Sequence, residues 1–446
     1  MSYSPLPSST LAHSAALRSF EAQWKTRARD SLAPVRERAM QRFLKLGLPT
    51  IRDETWKYTN LRALAAQSFI DAPRKARADV RPNASLSLLG QADLAASLLM
   101  VNGYPVLPES DGLINGIEIN TIRDISRFDP KSLLRHLEPL SDSDEQRWGL
   151  LNTALFVDGL HLKITANVAT PLVILHVATA EGLDSVAYPR VIIEAAPGSS
   201  ATVIEHYVGQ GEHTPLNNSN SHIALGKGAQ IEHYRVFATG PGALHIDGLD
   251  IRQEQDSRCR QFTVVLGGGM VRTTLAAHLD QPGAALESYS LLVGHEQRHV
   301  DCVNIVTHAA PNTQSTQTAR GIASDSSRVI FNSKVIVNAR SVNAQSQQSF
   351  RGLLLSPTAE IDSRPQLEIH ADEVKCAHGA TTGRLDPDML FYMLSRGIDR
   401  DIAQSLLVYA FLSDVLTDMS VPSARSSIES ALIAQLPDSQ ILRKFR

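Results

Sequence analysis

The chain has 446 residues, with 43 Lys and Arg against 46 Asp and Glu, so that its formal net charge is −3. An apolar fraction of 43% is that of ordinary globular proteins and excludes wholesale disorder, while the slight acidity excludes a generally basic nucleic-acid-binding protein. Three cysteines cannot build a disulfide framework, and no apolar run approaches the roughly 20 residues that span a bilayer. The N-terminus lacks the layout of a secretory signal. We expect a soluble, cytoplasmic protein without nucleic-acid or membrane partners.

The first 150 residues carry mainly helical patterns. Proline in the first turn and glycine after the last apolar residue predict a helix that begins at Pro34 and ends at Gly47. The other predicted elements of this region are a helix over 9–33, a polar linker over 72–86, short strands around an Asn102-Gly103 turn, and one helix over about 130–155.

Between residues 151 and 383 the pattern changes to short runs rich in Val, Ile and Thr, separated by Gly, Pro, Ser and Asn. The absence of helical segments between these runs argues against a βαβ fold. The quartet that begins at Ile204 recurs at Ile231, and related quartets begin at Cys259 and Leu286, at spacings of 27, 28 and 27 residues.

A period in the twenties made of strands and turns is typical of a parallel β-helix with one coil per repeat. This interpretation predicts that the four quartets stack in adjacent coils, with Ile204 directly above Ile231 at about 4.8 Å. Beyond residue 300 the spacing lengthens, to 31 between Arg320 and Arg351. Coincidental spacing within a β-sandwich is the alternative, because sandwich strands also recur regularly.

Two motifs match sequence patterns of enzymes, but the segments around them are not those that the enzymes need. His295-Glu296-Gln297-Arg298-His299 matches the zinc protease pattern HExxH, but strand-like segments flank it, which predicts a polar turn between coils instead of a catalytic helix. Gly267-Gly268-Gly269 follows a strand without the Gly-Lys-Ser/Thr of a phosphate loop, which predicts a tight corner. We therefore expect no catalytic site in this chain.

Cys376 and His378 form the most informative pair. Residues two apart in a strand share a face, so a thiol and an imidazole lie side by side and offer soft ligands for iron, zinc or sulfur. Because a metal site usually needs about four ligands, such a pair would function across an interface with another chain. A buried cysteine beside a hydrogen-bonded histidine is the alternative. Cys259 and Cys302 are expected to be core residues.

From residue 384 helices return. Asp386-Pro387 is an N-cap followed by proline at the first helical position, and Gly397 ends that helix. The next helix opens at Asp399 and is apolar over a wide face that includes Leu406 and Tyr409. Such a face either caps the end of the coil stack or docks a partner, and the sequence leaves both open.

Four segments carry a resemblance to a known family. Residues 53–59 (DETWKYT) and 364–386 (RPQLEIHADEVKCAHGATTGRLD) closely resemble the SufB/SufD family of the Suf iron–sulfur cluster assembly system, and residues 264–272 (VVLGGGMVR) and 391–398 (FYMLSRGI) agree. The few cysteines, and the lack of the Cys-rich N-terminal motif often found in SufB, distinguish the chain from the SufB paralogue.

The resemblance implies a right-handed parallel β-helix at 151–383 between helical regions at 1–150 and 384–446. It implies a non-catalytic scaffold that pairs with SufB through the β-helix, while C-terminal helices that include Leu406 and Tyr409 dock the ATPase SufC. A transient iron–sulfur cluster is expected at the SufB interface, where His378 and Cys376 match family positions. The isolated chain is expected to hold no firmly bound cofactor, and a homodimer is its alternative pairing.

One residue departs from the family pattern. His370 stands where relatives more often carry an aromatic residue, which adds an imidazole near the predicted site. The rival interpretation is a carbohydrate-active β-helix enzyme such as a polysaccharide lyase. Such enzymes are typically secreted and carry Asp clusters with Arg or Lys on one coil face, and the sequence displays neither feature.

Overall fold

The computed structural model describes residues 14–27, 29–75, 96–107, 114–138, 146–179, 184–210 and 216–435. Two stacks of strands wind into a parallel β-helix of about seven turns, and helices flank it on its N-terminal and C-terminal sides. The predicted fold class is therefore confirmed. The last helix before the coils ends at Leu155 and the last strand ends at Gly383, while the division into three domains at 150 and 383 stays a prediction.

Helices occupy both ends of the described chain. They are α1 (Ala15–Lys25), α2 (Ala33–Leu46), a 3₁₀ turn (Glu54–Trp56), α3 (Arg62–Ala65), α4 (Ile122–Phe128), α5 (Pro130–Leu137), α6 (Arg147–Leu155), α7 (Pro387–Ser395), α8 (Arg400–Leu416) and α9 (Pro422–Ala434).

Several helix boundaries were predicted correctly, and two were not. Gly47 ends α2 with a φ of 67°, and the Asp386 carboxylate accepts the Asp388 N–H at the start of α7. The first helix ends early, at Lys25. The single helix predicted over 130–155 is wrong, because Glu138 is extended and terminates α5. The predicted linker over 72–86 lies mostly outside the described residues.

The strands are short at the N-terminal end and about ten residues long in the coils. They are β1 (Ile70–Asp71), β2 (Ala96–Val101), β3 (Tyr104–Val106), β4 (Ile117–Thr121), β5 (Leu160–Ile164), β6 (Leu172–Thr179), β7 (Ser185–Ala187), β8 (Arg190–Ala195), β9 (Ser200–Gln210), β10 (Leu216–Leu225), β11 (Gln230–Ala238), β12 (Leu244–Gln253), β13 (Arg258–Val265), β14 (Met270–Leu279), β15 (Ala285–Gly294), β16 (His299–His308), β17 (Gln314–Ala323), β18 (Arg328–Val337), β19 (Gln345–Leu354), β20 (Glu360–Ile369) and β21 (Lys375–Gly383).

Successive strands alternate between two sheets, as the winding of a β-helix requires. The first sheet has the order β20-β18-β16-β14-β12-β10-β8-β5-β4, and the second has the order β21-β19-β17-β15-β13-β11-β9-β6-β2-β3. Pairing between coils is parallel. Antiparallel pairing joins β2 to β3, across the predicted Asn102-Gly103 turn, and β4 to β5. Each coil is therefore held to the next by backbone hydrogen bonds.

The predicted stacking of repeats is correct for three of the four quartets. Ile231 lies opposite Cys259, and Cys259 lies opposite Leu286. The prediction that Ile204 lies over Ile231 is wrong, because Ala201 occupies that position. An offset of three residues moves a side chain to the other face of a strand, so Ile204 instead packs in the cluster beneath α8 and α9.

The later coils are longer, as the widened spacing predicts. Arg320 lies opposite Arg351, and Gly321 lies opposite Gly352. Both enzyme-like motifs are corners between coils. The HExxH segment is a turn between β15 and β16 with Glu296 at a φ of 58°. A Cβ on Gly267 would lie 2.3 Å from the Thr239 carbonyl oxygen, so the three-glycine corner packs against the preceding coil.

The core has an internal part and two external parts. An apolar cluster fills one side of the β-helix interior, with members from Leu98 to Ala344. Outside the coils, the N-terminal helices bury Phe20, Phe43 and Trp148 against the first sheet. Helices α8 and α9 bury Leu412 and other residues against the second sheet. None of the helices in the described segments is long and apolar enough to cross a membrane.

A cationic side chain joins the N-terminal segment to the coils. The indole of Trp56, 2% exposed, lies on the guanidinium of Arg272, with 3.7 Å between the ring centroid and Cζ. Arg272 forms a fully buried ion pair with Asp301, which also accepts the Thr59 hydroxyl. The Thr59 hydroxyl lies 2.8 Å from Nε2 of His299. We call Trp56, Thr59, Arg272 and Asp301 the N-terminal latch.

We expect Arg272→Met to lower the free energy of unfolding by about 3–5 kcal/mol, because it leaves the Asp301 carboxylate buried without its ionic partner. Urea unfolding followed by circular dichroism measures this. The matched control is Arg340→Met at an exposed coil corner, which should change stability by less than about 0.5 kcal/mol. Equal effects of the two substitutions would contradict a stabilising role for the latch.

Candidate functional site

The last coil of the β-helix carries both predicted site residues. Cys376 and His378 lie on β21, which pairs with β19 on one side only, and β20 is likewise the end of its sheet. Cys376 is half-buried and packs against the internal apolar cluster, whereas His378 is exposed. The open end of the coil stack thus brings a thiol and an imidazole to one uncovered edge.

The electrostatic setting of this edge is modest. Partial burial raises the pKa of the Cys376 thiol above its ordinary value, which keeps it protonated until another charge or a metal approaches. His370, at the end of the facing strand, has Nε2 2.9 Å from Oε1 of Glu368. Among the described residues, no group of three or more His, Cys, Asp or Glu side chains is placed to hold a metal ion.

Behind His378, a row of polar side chains runs through the β-helix interior. Its members occupy the same register position in successive strands of the second sheet, from His233 through Gln261, Ser288, Gln317 and Gln348 to His378. We call this the inner polar row. It was not predicted from the sequence, although polar residues recurring at the coil period were the available signal.

Hydrogen bonds tie parts of this row to the facing sheet. The Ser288 hydroxyl donates to Oε1 of Gln261 at 3.3 Å, and the Ser333 hydroxyl donates to Oε1 of Gln317 at 2.9 Å. Nε2 of Gln348 donates to the Gln366 carbonyl oxygen at 3.2 Å. Beside the apolar cluster, the interior of the β-helix therefore contains a strip of polar side chains that hydrogen bonds hold in place.

At its deep end the row meets a buried carboxylate. Glu205 accepts hydrogen bonds from His176 at 2.9 Å, from His233 at 3.0 Å and from the Tyr207 hydroxyl at 2.9 Å. Burial alone would raise the pKa of Glu205, but the hydrogen bonds and charges of the two histidines outweigh it and hold that pKa well below its usual range. The carboxylate is stabilised as an anion inside the β-helix.

The other two cysteines are core residues, as predicted. Cys259 and Cys302 are each 1% exposed. Burial raises the pKa of the Cys259 thiol to about 12, which makes it inert as a nucleophile or ligand at neutral pH.

The predicted docking residues on α8 are half-buried. Leu406 and Tyr409 lie beside the fully buried Val408 and Leu412, which pack on the second sheet. More exposed apolar side chains occur on α7, where Met389 is 58%, Phe391 72% and Tyr392 59% exposed. We call these three residues the α7 patch. The sequence of this segment carries part of the family resemblance, and its exposure was not predicted.

Buried histidines should make the stability of the chain depend on pH. Burial lowers the pKa of His206 to about 4, of His245 to about 3 and of His308 to about 4. Between about pH 6.5 and pH 4 the unfolded chain therefore binds protons that the folded chain does not. The contribution of these buried, neutral histidines to the free energy of unfolding is fully present above about pH 6.5 and decreases as the pH falls through this window.

We expect His206→Phe to reduce this pH dependence by about one proton, or about 1.4 kcal/mol per pH unit. Urea unfolding at pH 7.5, 6.5, 5.5 and 5.0 gives the slope. Phe128→Leu, at an exposed position without a titratable group, is the control and should leave the slope unchanged. An identical slope in His206→Phe and in the unsubstituted chain would contradict the argument.

Comparison with known proteins identifies one family over both the N-terminal region and the β-helix. A family model described as the SufBD core domain of SUF system FeS cluster assembly matches residues 176–411, and one described as the SufBD protein N-terminal region matches residues 14–174. The iron-sulfur cluster assembly protein SufD of Escherichia coli is 28% identical over 426 residues, with 94% of this chain and 95% of that protein covered.

Two further relatives agree with this match. An iron-sulfur cluster assembly SufBD family protein of Synechocystis is 28% identical, with 87% of each chain covered. SufD of Bacillus subtilis is 25% identical, with 65% of this chain and 67% of that protein covered. Because the core model alone spans more than half of the residues and covers most of the β-helix, the chain belongs to the SufBD family of iron–sulfur cluster assembly proteins, within which it is SufD-like.

Proposed function

We propose that the chain is a non-catalytic scaffold subunit of a cytoplasmic SufBCD complex, in which it pairs with SufB through the open end of its β-helix and docks the ATPase SufC through its C-terminal helices. The observation that carries the proposal is the position of His378 and Cys376 on the uncovered terminal strand. The family match favours this function over that of a carbohydrate-active β-helix enzyme.

The open end supports pairing with another β-helix. Strands β20 and β21 each present one edge of backbone N–H and C=O groups that no described strand satisfies. Exposed edges of this kind are templates for strand addition, and natural proteins normally cover them. SufB, with a related fold, continues both sheets and buries the edge. A second copy of the chain is the competing occupant when SufB is absent.

At such an interface SufB completes the set of metal ligands, of which His378 and Cys376 are two. His378 offers a neutral imidazole nitrogen, and Cys376 offers a thiol that becomes a thiolate ligand once iron approaches. SufB contributes the remaining ligands, so the cluster is a transient substrate held between two chains and is released from them. Because the ligands are shared between two chains, this chain carries only some of the ligands that the cluster needs.

The C-terminal helices support docking of SufC. The α7 patch exposes three large apolar side chains on one short helix, beside the half-buried Leu406 and Tyr409 of α8. Exposed apolar groups clustered in this way mark protein interfaces. The three-glycine corner packs against the coil before it and is no phosphate loop, so ATP hydrolysis is assigned to SufC.

We expect His378→Ala to leave assembly with SufB and SufC intact and to lower the cluster content of the co-expressed complex at least tenfold, because the imidazole nitrogen is lost while the backbone ladder remains. Cys376→Ser should have a smaller effect if the thiol mainly packs. Size-exclusion chromatography gives stoichiometry, and iron and sulfide analysis gives cluster content. A normal cluster content in His378→Ala would contradict the proposed site.

We expect Phe391→Asp, and separately Leu406→Asp with Tyr409→Asp, to weaken SufC binding about tenfold or more, since a charge replaces apolar contact area. Pull-down with SufC and circular dichroism measure binding and folding together. Phe128→Asp, at a position 87% exposed in the N-terminal region, is the control. Loss of fold in the α8 variant would indicate a structural role for that helix, whereas unchanged SufC binding with the fold retained would contradict docking.

A further inference from the structure

We infer that Gln348 is a positioning residue for His378: its buried side-chain oxygen accepts the imidazole N–H and so determines which ring nitrogen is free to bind iron. This inference rests on the proposed function of His378 and adds to it a residue on the preceding coil.

Register places the two side chains together. Gln348 on β19 lies directly opposite His378 on β21 in a parallel pair. Opposite residues on adjacent strands project from the same face of the sheet, about 4.8 Å apart along the stack. A long amide and an imidazole at this spacing reach each other by rotation about side-chain bonds, without any movement of the backbone.

The orientation of the Gln348 amide is determined by its other contact. Its Nε2 donates to the Gln366 carbonyl oxygen at 3.2 Å. The side-chain oxygen of Gln348 cannot donate a hydrogen bond to that carbonyl, so the nitrogen end of the amide must face Gln366. Oε1 then points elsewhere. Gln348 is only 2% exposed, and its Oε1 has no hydrogen-bond partner in the described part of the chain.

An unsatisfied buried acceptor is costly, and each one in a native structure calls for an explanation. His378 is the candidate donor, because neither of its ring nitrogens bonds to a described residue and its ring is exposed enough to rotate. Covering of the coil end by SufB removes the competing water. The imidazole then donates one N–H to Gln348 and presents the other nitrogen to the metal.

Such an outer partner has a known physical effect. A histidine ligand that donates its second ring N–H to a carbonyl or carboxylate is held in one tautomer and one orientation, and loss of the partner typically weakens metal binding 10–100-fold. Here the partner is a neutral amide, so the ring is oriented without adding charge to the interface. Gln348 thereby contributes to the site without touching the cluster.

The test compares Gln348→Met, which removes the acceptor but keeps an unbranched chain of similar length, with Gln348→Glu, which retains an acceptor. Gln317→Met is the matched control, because the same amide is removed one coil further from His378. In complexes with SufB and SufC, we expect cluster content to fall about tenfold in Gln348→Met and to stay within twofold of normal in Gln348→Glu and Gln317→Met.

A second measurement separates positioning from packing. With ¹⁵N-histidine incorporated into this chain only, and His378 assigned through His378→Ala, the ring ¹⁵N shifts in the SufB complex report the tautomer. We expect one tautomer in the unsubstituted chain and in Gln317→Met, and a mixture in Gln348→Met. Lowered cluster content with an unchanged tautomer would overturn the inference and indicate a packing effect.

The outcomes also distinguish this inference from the proposed function. If His378→Ala forms clusters normally, the proposed site fails whatever Gln348 does. If His378→Ala abolishes clusters while Gln348→Met retains both normal cluster content and a single tautomer, the site stands and only the positioning role of Gln348 is overturned.

Discussion

Backbone hydrogen bonding between successive coils is the constraint on which the rest of the structure depends. Each strand of a parallel β-helix satisfies its N–H and C=O groups on the coils before and after it, so among the described strands β20 and β21 are each left with one unpaired edge. Strand β21 carries Cys376 and His378. The same pairing that stabilises the fold therefore leaves the site that we propose at an open end.

Stacking in register has a second consequence, which is that like residues align inside the coils. An apolar cluster occupies one part of the interior, and the inner polar row occupies another, from the Glu205 network to His378. Buried polar groups stabilise a structure only when they are paired. Among the buried atoms of the row, Nδ1 of His233, Nε2 of Gln317 and Oε1 of Gln348 have no hydrogen-bond partner in the described part of the chain. The last of these lies next to the residue that we assign to cluster assembly.

Two of the four family motifs have different physical roles. The segment with Trp56 and Thr59 is structural, because it ends on the buried Arg272–Asp301 pair and fastens the N-terminal helices to the first sheet. The segment around His378 is mostly exposed and is paired with the chain's own β19 on one side. A motif whose residues are satisfied internally stabilises the fold, whereas one left unsatisfied at an edge indicates a partner.

The sequence by itself determined the β-helix class, the stacking of Ile231, Cys259 and Leu286, the ends of α2 and α7, and the placement of Cys376 and His378 on one strand, because these depend on local periodicity, capping and motifs. Tertiary structure alone decided the rest. The offset that places Ala201 instead of Ile204 over Ile231, the exposure of the α7 patch and the position of Gln348 beneath His378 depend on coil lengths and on contacts between residues about 30 apart, which no local pattern encodes.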